Sequence, residues 1–409
     1  MDTKLLLALV LLPTVARAYD NGLGRLPPMG WNSWCTGSTL QPSVCNLVGK
    51  DPCSEAEVKG IADAIVEQGM DKLGYRYVAL DDCWSDTSRD ADGNLQPEAK
   101  KFPSGMKALA DYVHGKGLLF GLYTSVGDKT CKGDRPGCFG NYERDAATLA
   151  GWGVDMVKMD HCGGKNGTDQ ELYGEMSKAL NATGRPILFS LCNWGESSVW
   201  KWGSEVAQMF RIQMDHLPFW SFPAESAGIG YGEGTSEIIE WMATLQPSKW
   251  TKRFGWLDPD FLMTRFRPTM DFTSSRTEFS FWALWSAPLL VSTDLRKLTA
   301  DKRTILLNEE VIAINQDESA TAGDRLRNAT NGEQLWARPL ANGDKAIILY
   351  NSGTKTIGAG LAWSEIGWAA TDNVTVRDLW QKKTLGSFVG GYNISTLGKH
   401  DIAMLRLTR

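Results

Sequence analysis

From about residue 25 to 315, short β-branched or apolar runs alternate with stretches whose apolar positions recur at helical spacing. That alternation predicts the βα units of a parallel sheet or barrel. Eight strand candidates can be counted: one ending at Met29-Gly-Trp31, then Tyr77 to Leu80, Leu118 to Tyr123, Val154 to Met159, Pro186 to Ser190, Met209 to Ile212, Phe254 to Leu257 and Pro288 to Val291. Their recurrence every roughly 30–40 residues suits a (β/α)8 barrel. Ser54-Glu-Ala-Glu57 reads as a capping box ahead of Val58, Ile61, Ala62 and Ile65 on one helical face. Further helices are expected at Gly105 to His114, Tyr142 to Trp152, Asp169 to Leu180, Ser236 to Leu245 and Ser275 to Ala287. After Asn315-Gln-Asp317 the texture changes to alternating segments, such as Gln334 to Arg338 and Lys345 to Tyr350, between Asn-Gly and Ser-Gly turns. This tail predicts a small antiparallel β-domain. The expected organisation is an α/β barrel over 19–320 followed by a β-domain over 321–409.

Residues 1–18 change the picture of where the chain works. Lys4, the apolar run Leu5 to Leu12 and Ala16-Arg-Ala18 predict a cleaved secretory signal peptide, with the mature chain starting near Tyr19. No later apolar run approaches the ~20 residues of a membrane helix. The expected product is soluble, either secreted or held in a lysosome- or vacuole-like lumen. Five sequons, at Asn166, Asn181, Asn328, Asn373 and Asn393, offer glycan sites there. Eight cysteines lie in the first half of the chain, and an oxidising compartment should pair several of them, in a pattern that spacing leaves open. They lack zinc-type Cys-x-x-Cys spacing, and with four His residues a His-rich metal centre is not expected. A net charge of −5 without a basic cluster argues against nucleic acid as a partner.

Carboxylates collect at the ends of three strand candidates: Asp81 and Asp82 after Tyr77-Val-Ala-Leu, Asp160 after Val154 to Met159, and Asp215 after Met209 to Met214. In a βα barrel the strand ends at one face build the active site, so acids there point to chemistry. Retaining glycoside hydrolysis needs two carboxyl groups about 5–5.5 Å apart, a nucleophile and a proton donor. Asp160 suits the first role, because Lys158 two residues earlier faces the same way and would keep it ionised. Asp215 suits the second if its surroundings raise its pKa, although Arg211 would oppose that if too close. Lys158 with Asp160 could also be a structural ion pair, and Asp81-Asp82 a solvated turn. His161 and His216 adjoin the acids in sequence, but neighbouring strand residues face opposite ways, so His161 is expected to be packed or to hydrogen-bond a loop and not to be catalytic, and His216 to be a neighbour by sequence only. Gly228 to Gly234 lacks nucleotide-loop spacing and reads as a flexible loop over the barrel mouth.

The segments Met29-Gly-Trp-Asn-Ser-Trp34, Leu80-Asp-Asp-Cys-Trp84, Gly121-Leu-Tyr123, Lys129-Thr-Cys131, Lys158-Met-Asp-His-Cys162, Leu191-Cys-Asn-Trp194, Arg211-x-x-x-Asp215, Asp258-Pro-Asp260 and Ala313-Ile-Asn-Gln-Asp317 together resemble the α-galactosidases of glycoside hydrolase family 27. The likeness runs in order from about residue 24 to the C-terminus. It implies a (β/α)8 barrel followed by an antiparallel β-sandwich, and retaining hydrolysis of terminal α-D-galactosides without metal or cofactor. It also implies roles: Asp160 as nucleophile, Asp215 as acid/base, Asp81 and Asp82 on the 6- and 4-hydroxyls, Trp34 as an aromatic wall, and Tyr123, Lys158, Asn193, Arg211 and Asp260 as further sugar contacts. The resemblance pairs Cys131 with Cys162, and suggests Cys45 with Cys53 and Cys35 with Cys83. Departures fall at Leu257, where the family usually has Asn, and at Phe210, where Trp is common. The segment Asn193-Trp-Gly-Glu196 follows the fungal type. An α-N-acetylgalactosaminidase and a β-L-arabinopyranosidase are the nearest alternative activities, and Asp81 argues against the latter. A galactose-binding protein without turnover is the alternative from another class.

Overall fold

The computed structural model describes residues 19–36, 53–222, 232–264 and 269–409. Eight parallel strands form one sheet: β1 (Met29–Asn32), β2 (Tyr77–Ala79), β3 (Leu119–Ser125), β4 (Met156–Asp160), β5 (Leu188–Cys192), β6 (Met209–Arg211), β7 (Trp256–Asp258) and β8 (Leu289–Val291). They are ordered β7-β6-β5-β4-β3-β2-β1-β8. The seam between β7 and β8 is closed by Leu262, whose N–H donates to Leu290 O (2.9 Å) and whose carbonyl accepts from Ser292 N (3.1 Å). Around the barrel lie α1 (Glu55–Glu67), α2 (Gly105–Gly115), α3 (Tyr142–Gly151), α4 (Asp169–Ala182), α5 (Thr235–Leu245) and α6 (Phe272–Leu284), followed by α7 (Ala300–Leu306) and α8 (Glu309–Asn315).

The two-residue period of each strand sorts its side chains. Tyr77, Met156, Leu188, Met209, Trp256 and Leu290 pack as one cluster inside the barrel. Val78, Val157, Phe189, Phe210, Leu257 and Leu289 belong to the larger core shared with the helices. Counting on by two from Met156 places Lys158 and Asp160 on the inner side, and counting from Met209 and Trp256 places Arg211 and Asp258 there. These charged groups therefore enter the barrel toward its C-terminal end. Gly30 allows β1 to lie against β2, since a Cβ there would stand 2.2 Å from Tyr77 O.

Helix starts follow local chemistry. Ser54 Oγ accepts from Glu57 N at 3.3 Å, but the Glu57 carboxylate accepts from Arg296, so only half of the expected capping box forms at α1. Thr168 and Glu171 complete a reciprocal box at α4.

The tail is two antiparallel sheets. One has six strands in the order β14 (Lys383–Val389), β13 (Asn373–Asp378), β16 (Ile402–Thr408), β11 (Lys345–Asn351), β10 (Glu333–Pro339) and β9 (Asp324–Asn328), and the other pairs β12 (Ile357–Ala362) with β15 (Gly391–Leu397). Leu335, Ile347, Leu349, Val374, Val376, Leu405 and Leu407 meet Leu361 and Leu397 between them. The other face of the larger sheet carries Trp336, Ile348, Tyr350 and Met404 into the barrel's core. Buried Arg338 spans the junction, donating to Ala283 O (3.1 Å) and Ile314 O (2.5 Å).

Cys131 bonds Cys162. The suggested Cys45–Cys53 and Cys35–Cys83 pairings are corrected: Cys53 bonds Cys83, with Cα atoms 6.0 Å apart. Cys53 stands just before α1 and Cys83 just after β2, which α1 precedes, so consecutive elements bring them together at one end of the barrel. Cys35 is disulfide-bonded as well, and Cys45 lies outside the described residues. Closing loops with separations of 30 and 31 residues restrains the unfolded chain by about 3–4 kcal/mol each. Cys138 and Cys192 are buried free thiols. No described helix is long and apolar enough to cross a membrane. All five sequon asparagines are exposed. The expected leader at 1–18 and residues 228–231 of the glycine-rich stretch Gly228 to Gly234 lie outside the described residues.

Candidate active site

At the C-terminal end of β4, Lys158 and Asp160 are both buried. Lys158 Nζ donates to Asp81 Oδ2 at 2.8 Å, and the two side chains are 10% and 2% exposed. Asp81 is fixed in turn, its N–H donating to Ser33 Oγ at 2.9 Å. Tyr123 Oη donates to Asp160 Oδ2 (3.0 Å) and His161 N to Asp160 Oδ1 (2.9 Å), so each nucleophile-candidate oxygen already has one donor. Burial pushes the Asp160 carboxyl up to about 6, against the pull of Lys158 and with the push of Asp215. Burial alone would depress Lys158, but Asp81 and its neighbours overcome that and hold it well above the usual lysine range. The ammonium also lies over the rings of Phe261 (4.9 Å), Tyr123 (5.4 Å) and Trp34 (5.7 Å).

Arg211 organises the other half. Its Nη2 reaches Asp260 Oδ2 at 2.9 Å and Asp215 Oδ1 at 3.1 Å, and Nη1 lies 3.4 Å from Cys192 Sγ. Burial raises Asp215 above the ordinary carboxyl range, while Arg211 works the other way. Asp215 keeps 28% of its side chain exposed, whereas Asp260 keeps 2%, so of the two acids on Arg211 it is Asp215 that opens to a ligand. Asp260 is saturated by Arg211, His216 N (2.8 Å) and Phe261 N (2.8 Å), which makes it a support for Arg211 before any direct sugar contact. Asp82 accepts from Lys132 N at 3.0 Å, and burial raises its carboxyl.

The remaining expected residues sit around this cluster. Trp34 is partly exposed on the Lys158 side. Asn193 is buried and donates to Glu196 O (2.9 Å), leaving its Oδ1 and the Nε of Arg211 without a protein partner. Buried polar atoms of this kind are uncommon and call for a further hydrogen-bonding group. His161 is packed as expected, with Nε2 on Asp169 Oδ1 (2.6 Å) and Nδ1 facing Glu196 Oε2 (3.6 Å). Its two nitrogens engage different carboxylates, an arrangement that reads as a clasp and not as one cation site. The turn it steadies contains Trp194, Ser197 and Ser198, all at positive φ.

Sequence reasoning missed Ser33, Phe261, Cys192 as a neighbour of Arg211, and above all Glu278. No local pattern marks them; they meet the acids only through barrel closure. Glu278 is fully buried in α6 and burial pushes its carboxyl to about 8; Glu233 goes to about 7 and Asp258 to about 6 for the same reason. These three and Asp160 hold protons in the folded chain where the unfolded chain has lost them, so they stabilise below the ordinary carboxyl range and that stability is lost as pH rises through these values. His216 and His400, pushed down to about 4 by burial, oppose this below their ordinary value. The carboxyls prevail from weakly alkaline to weakly acidic solution. Thermal melts should give a Tm several degrees higher near pH 6 than near pH 8; a melt that rises toward pH 8 would contradict the burial of these groups.

Both parts of the chain match known proteins. Residues 26–317 match the family model described as alpha galactosidase A, and residues 330–407 match the alpha galactosidase C-terminal beta sandwich domain. The α-galactosidase of Coffea arabica is 41% identical over 389 residues, covering 95% of this chain and 95% of that one. The crystal structure of α-galactosidase I from Mortierella vinacea superposes with a TM-score of 0.87 at 32% identity, covering 95% of this chain and 98% of that chain. A Saccharomyces cerevisiae α-galactosidase structure with raffinose gives 0.85 at 30% identity, covering 96% and 100%. Barrel and sandwich are thus both matched, and this chain is a member of glycoside hydrolase family 27, among its α-galactosidases.

Proposed function

We propose that the chain is a retaining exo-α-galactosidase in which Asp160 attacks the anomeric carbon and Asp215 serves as acid and then base. The observation that carries this reading is the electrostatic division of the site, with Asp160 beside Lys158 and Asp215 beside Arg211, each cation also tied to a second acid. In the first step the Asp160 oxygen bonds the anomeric carbon while the glycosidic bond breaks and Asp215 gives its proton to the departing oxygen. In the second, Asp215 takes a proton from water, which displaces Asp160 and leaves the sugar with its original α configuration. Asp81 and Asp82 are suited to the 6- and 4-hydroxyls, with Trp34 as the apolar wall, and Arg211 and Asn193 retain unpaired polar atoms for the ring hydroxyls. Raffinose in the yeast structure supports an oligosaccharide substrate. The signal-like residues 1–18, the disulfides and the exposed sequons support passage through a secretory lumen.

The test is a panel of nitrophenyl glycosides. The α-galactoside should exceed the α-glucoside, its 4-epimer, by about 10³-fold or more in kcat/KM, because a site built around one hydroxyl rejects the analogue that misplaces it. Preference for the N-acetylgalactosaminide or the β-L-arabinopyranoside would keep the mechanism and change the substrate. Binding of galactose with no release from any glycoside would overturn the enzyme reading.

A further inference from the structure

The segment after β7 adopts a conformation that it would not choose alone. Asp260 has φ +79°, in the left-handed region, which a non-glycine residue keeps only where its surroundings hold it. The holding groups come from α6 and from the residue after Asp215. Trp282 Nε1 donates to Asp260 O at 2.8 Å. One turn earlier Glu278 accepts from Met263 N and Thr264 N, both at 3.1 Å, one on each carboxyl oxygen. His216 N donates to Asp260 Oδ2, and its ring stacks on Trp282 with centroids 5.4 Å apart. Its Nδ1 faces Phe261 O at 2.9 Å, so that nitrogen carries the proton, and Nε2 faces Thr235 Oγ1 (3.1 Å) and Glu278 Oε1 (3.7 Å).

Glu278 is fully buried and has no Lys or Arg partner among the described residues. Burying a carboxyl without a cation is costly, and an apolar residue would fill the space more cheaply. What it secures is the backbone that aims Asp260 at Arg211. Arg211 then divides one nitrogen between Asp260 and Asp215. If Asp260 turned away, the guanidinium would fall to Asp215 alone, stabilise its anion and disfavour the protonated form that the first step needs.

We infer that Glu278 and His216 are positioning residues for the proton donor, acting on Asp215 through Asp260 and Arg211. The inference rests on Asp215 being the acid/base. Loss of proton donation has a particular signature: a sugar leaving group needs the proton, whereas dinitrophenolate departs without it. Glu278→Gln and His216→Gln should therefore lower the ratio of kcat/KM for raffinose to that for dinitrophenyl α-galactoside by about 10-fold or more, a part of the ~10²–10⁴ that general acid catalysis supplies. Glu278→Leu, which keeps neither acceptor, should lower it further than Glu278→Gln, which keeps one. Asp215→Asn is the reference and should lower the ratio by about 10²-fold or more. If Asp215→Asn leaves the ratio unchanged, the acid/base assignment and this inference both fall. If Asp215→Asn moves it while folded Glu278→Gln and His216→Gln do not, only the inference falls, and the clamp is structural.

Discussion

Replacing Asp160 by glycine should reduce turnover of an α-galactoside by about 10⁴-fold or more, the scale of losing a covalent nucleophile. The fold should survive, because the residue's two hydrogen bonds come from Tyr123 Oη and His161 N at the rim, and removal relieves a carboxyl that burial has pushed to about 6. The cavity left by the carboxyl offers azide a path to the anomeric carbon. With an activated aryl α-galactoside, azide should restore product formation, and the product should be β-galactosyl azide, because the anion enters from the face Asp160 had used. An Asp215→Gly variant given azide should instead yield the α-azide, since Asp160 still forms the first bond and azide replaces water in the second. The anomeric configuration of each azide, read by NMR coupling constants, assigns the roles independently of rate. Interchanged products would exchange the two roles, and full activity of the Asp160 variant would remove it from the mechanism.

Lys158→Met should destabilise the protein by about 3–5 kcal/mol at neutral pH, the usual consequence of leaving a buried ionic partner uncompensated. The partner is Asp81, 2.8 Å from Nζ and 2% exposed. Methionine preserves the aliphatic stem and its place among Trp34, Tyr123 and Phe261, so the loss reports charge more than volume. Asp160 loses the cation that holds its carboxyl down, so its pKa must move above about 6. Since the nucleophile works only as an anion, the acid limb of kcat/KM should move to higher pH, and activity at neutral pH should fall. Arginine should not rescue fully, because a planar guanidinium does not fit a site shaped for a compact ammonium. Urea titrations and a pH–rate profile check the two halves. An acid limb that stays in place would show that Lys158 serves the Asp81 contact without tuning the nucleophile.

Much of this architecture was legible because it is encoded over short distances. The period of two within strands put Lys158 and Asp160 on one side and Met159 on the other, and the alternation of strand with helix announced the barrel. Nine ordered motifs then fixed the family, and with it the sandwich that local pattern could state only as an antiparallel tail. The disulfides were less legible. Cys131–Cys162 came through the resemblance, but Cys53 bonds Cys83 instead of its near neighbour in sequence, because α1 and β2 are packed side by side. Sequence distance is a poor guide wherever a crossover helix intervenes.

By itself, the sequence determined which residue types stand at the strand ends, hence that carboxylates and cations would meet inside a barrel mouth. Only the tertiary structure decided how they divide: Lys158 to Asp81, and Arg211 shared between Asp215 and Asp260. It alone placed Glu278, from a helix distant in sequence from Asp215, against the Met263–Thr264 backbone that follows Asp260. The physical reason is that hydrogen bonds and charges act through space over a few ångströms, whereas the pattern along the chain records only which face a side chain takes. Which faces meet, and at what distance, is settled when the sheet closes.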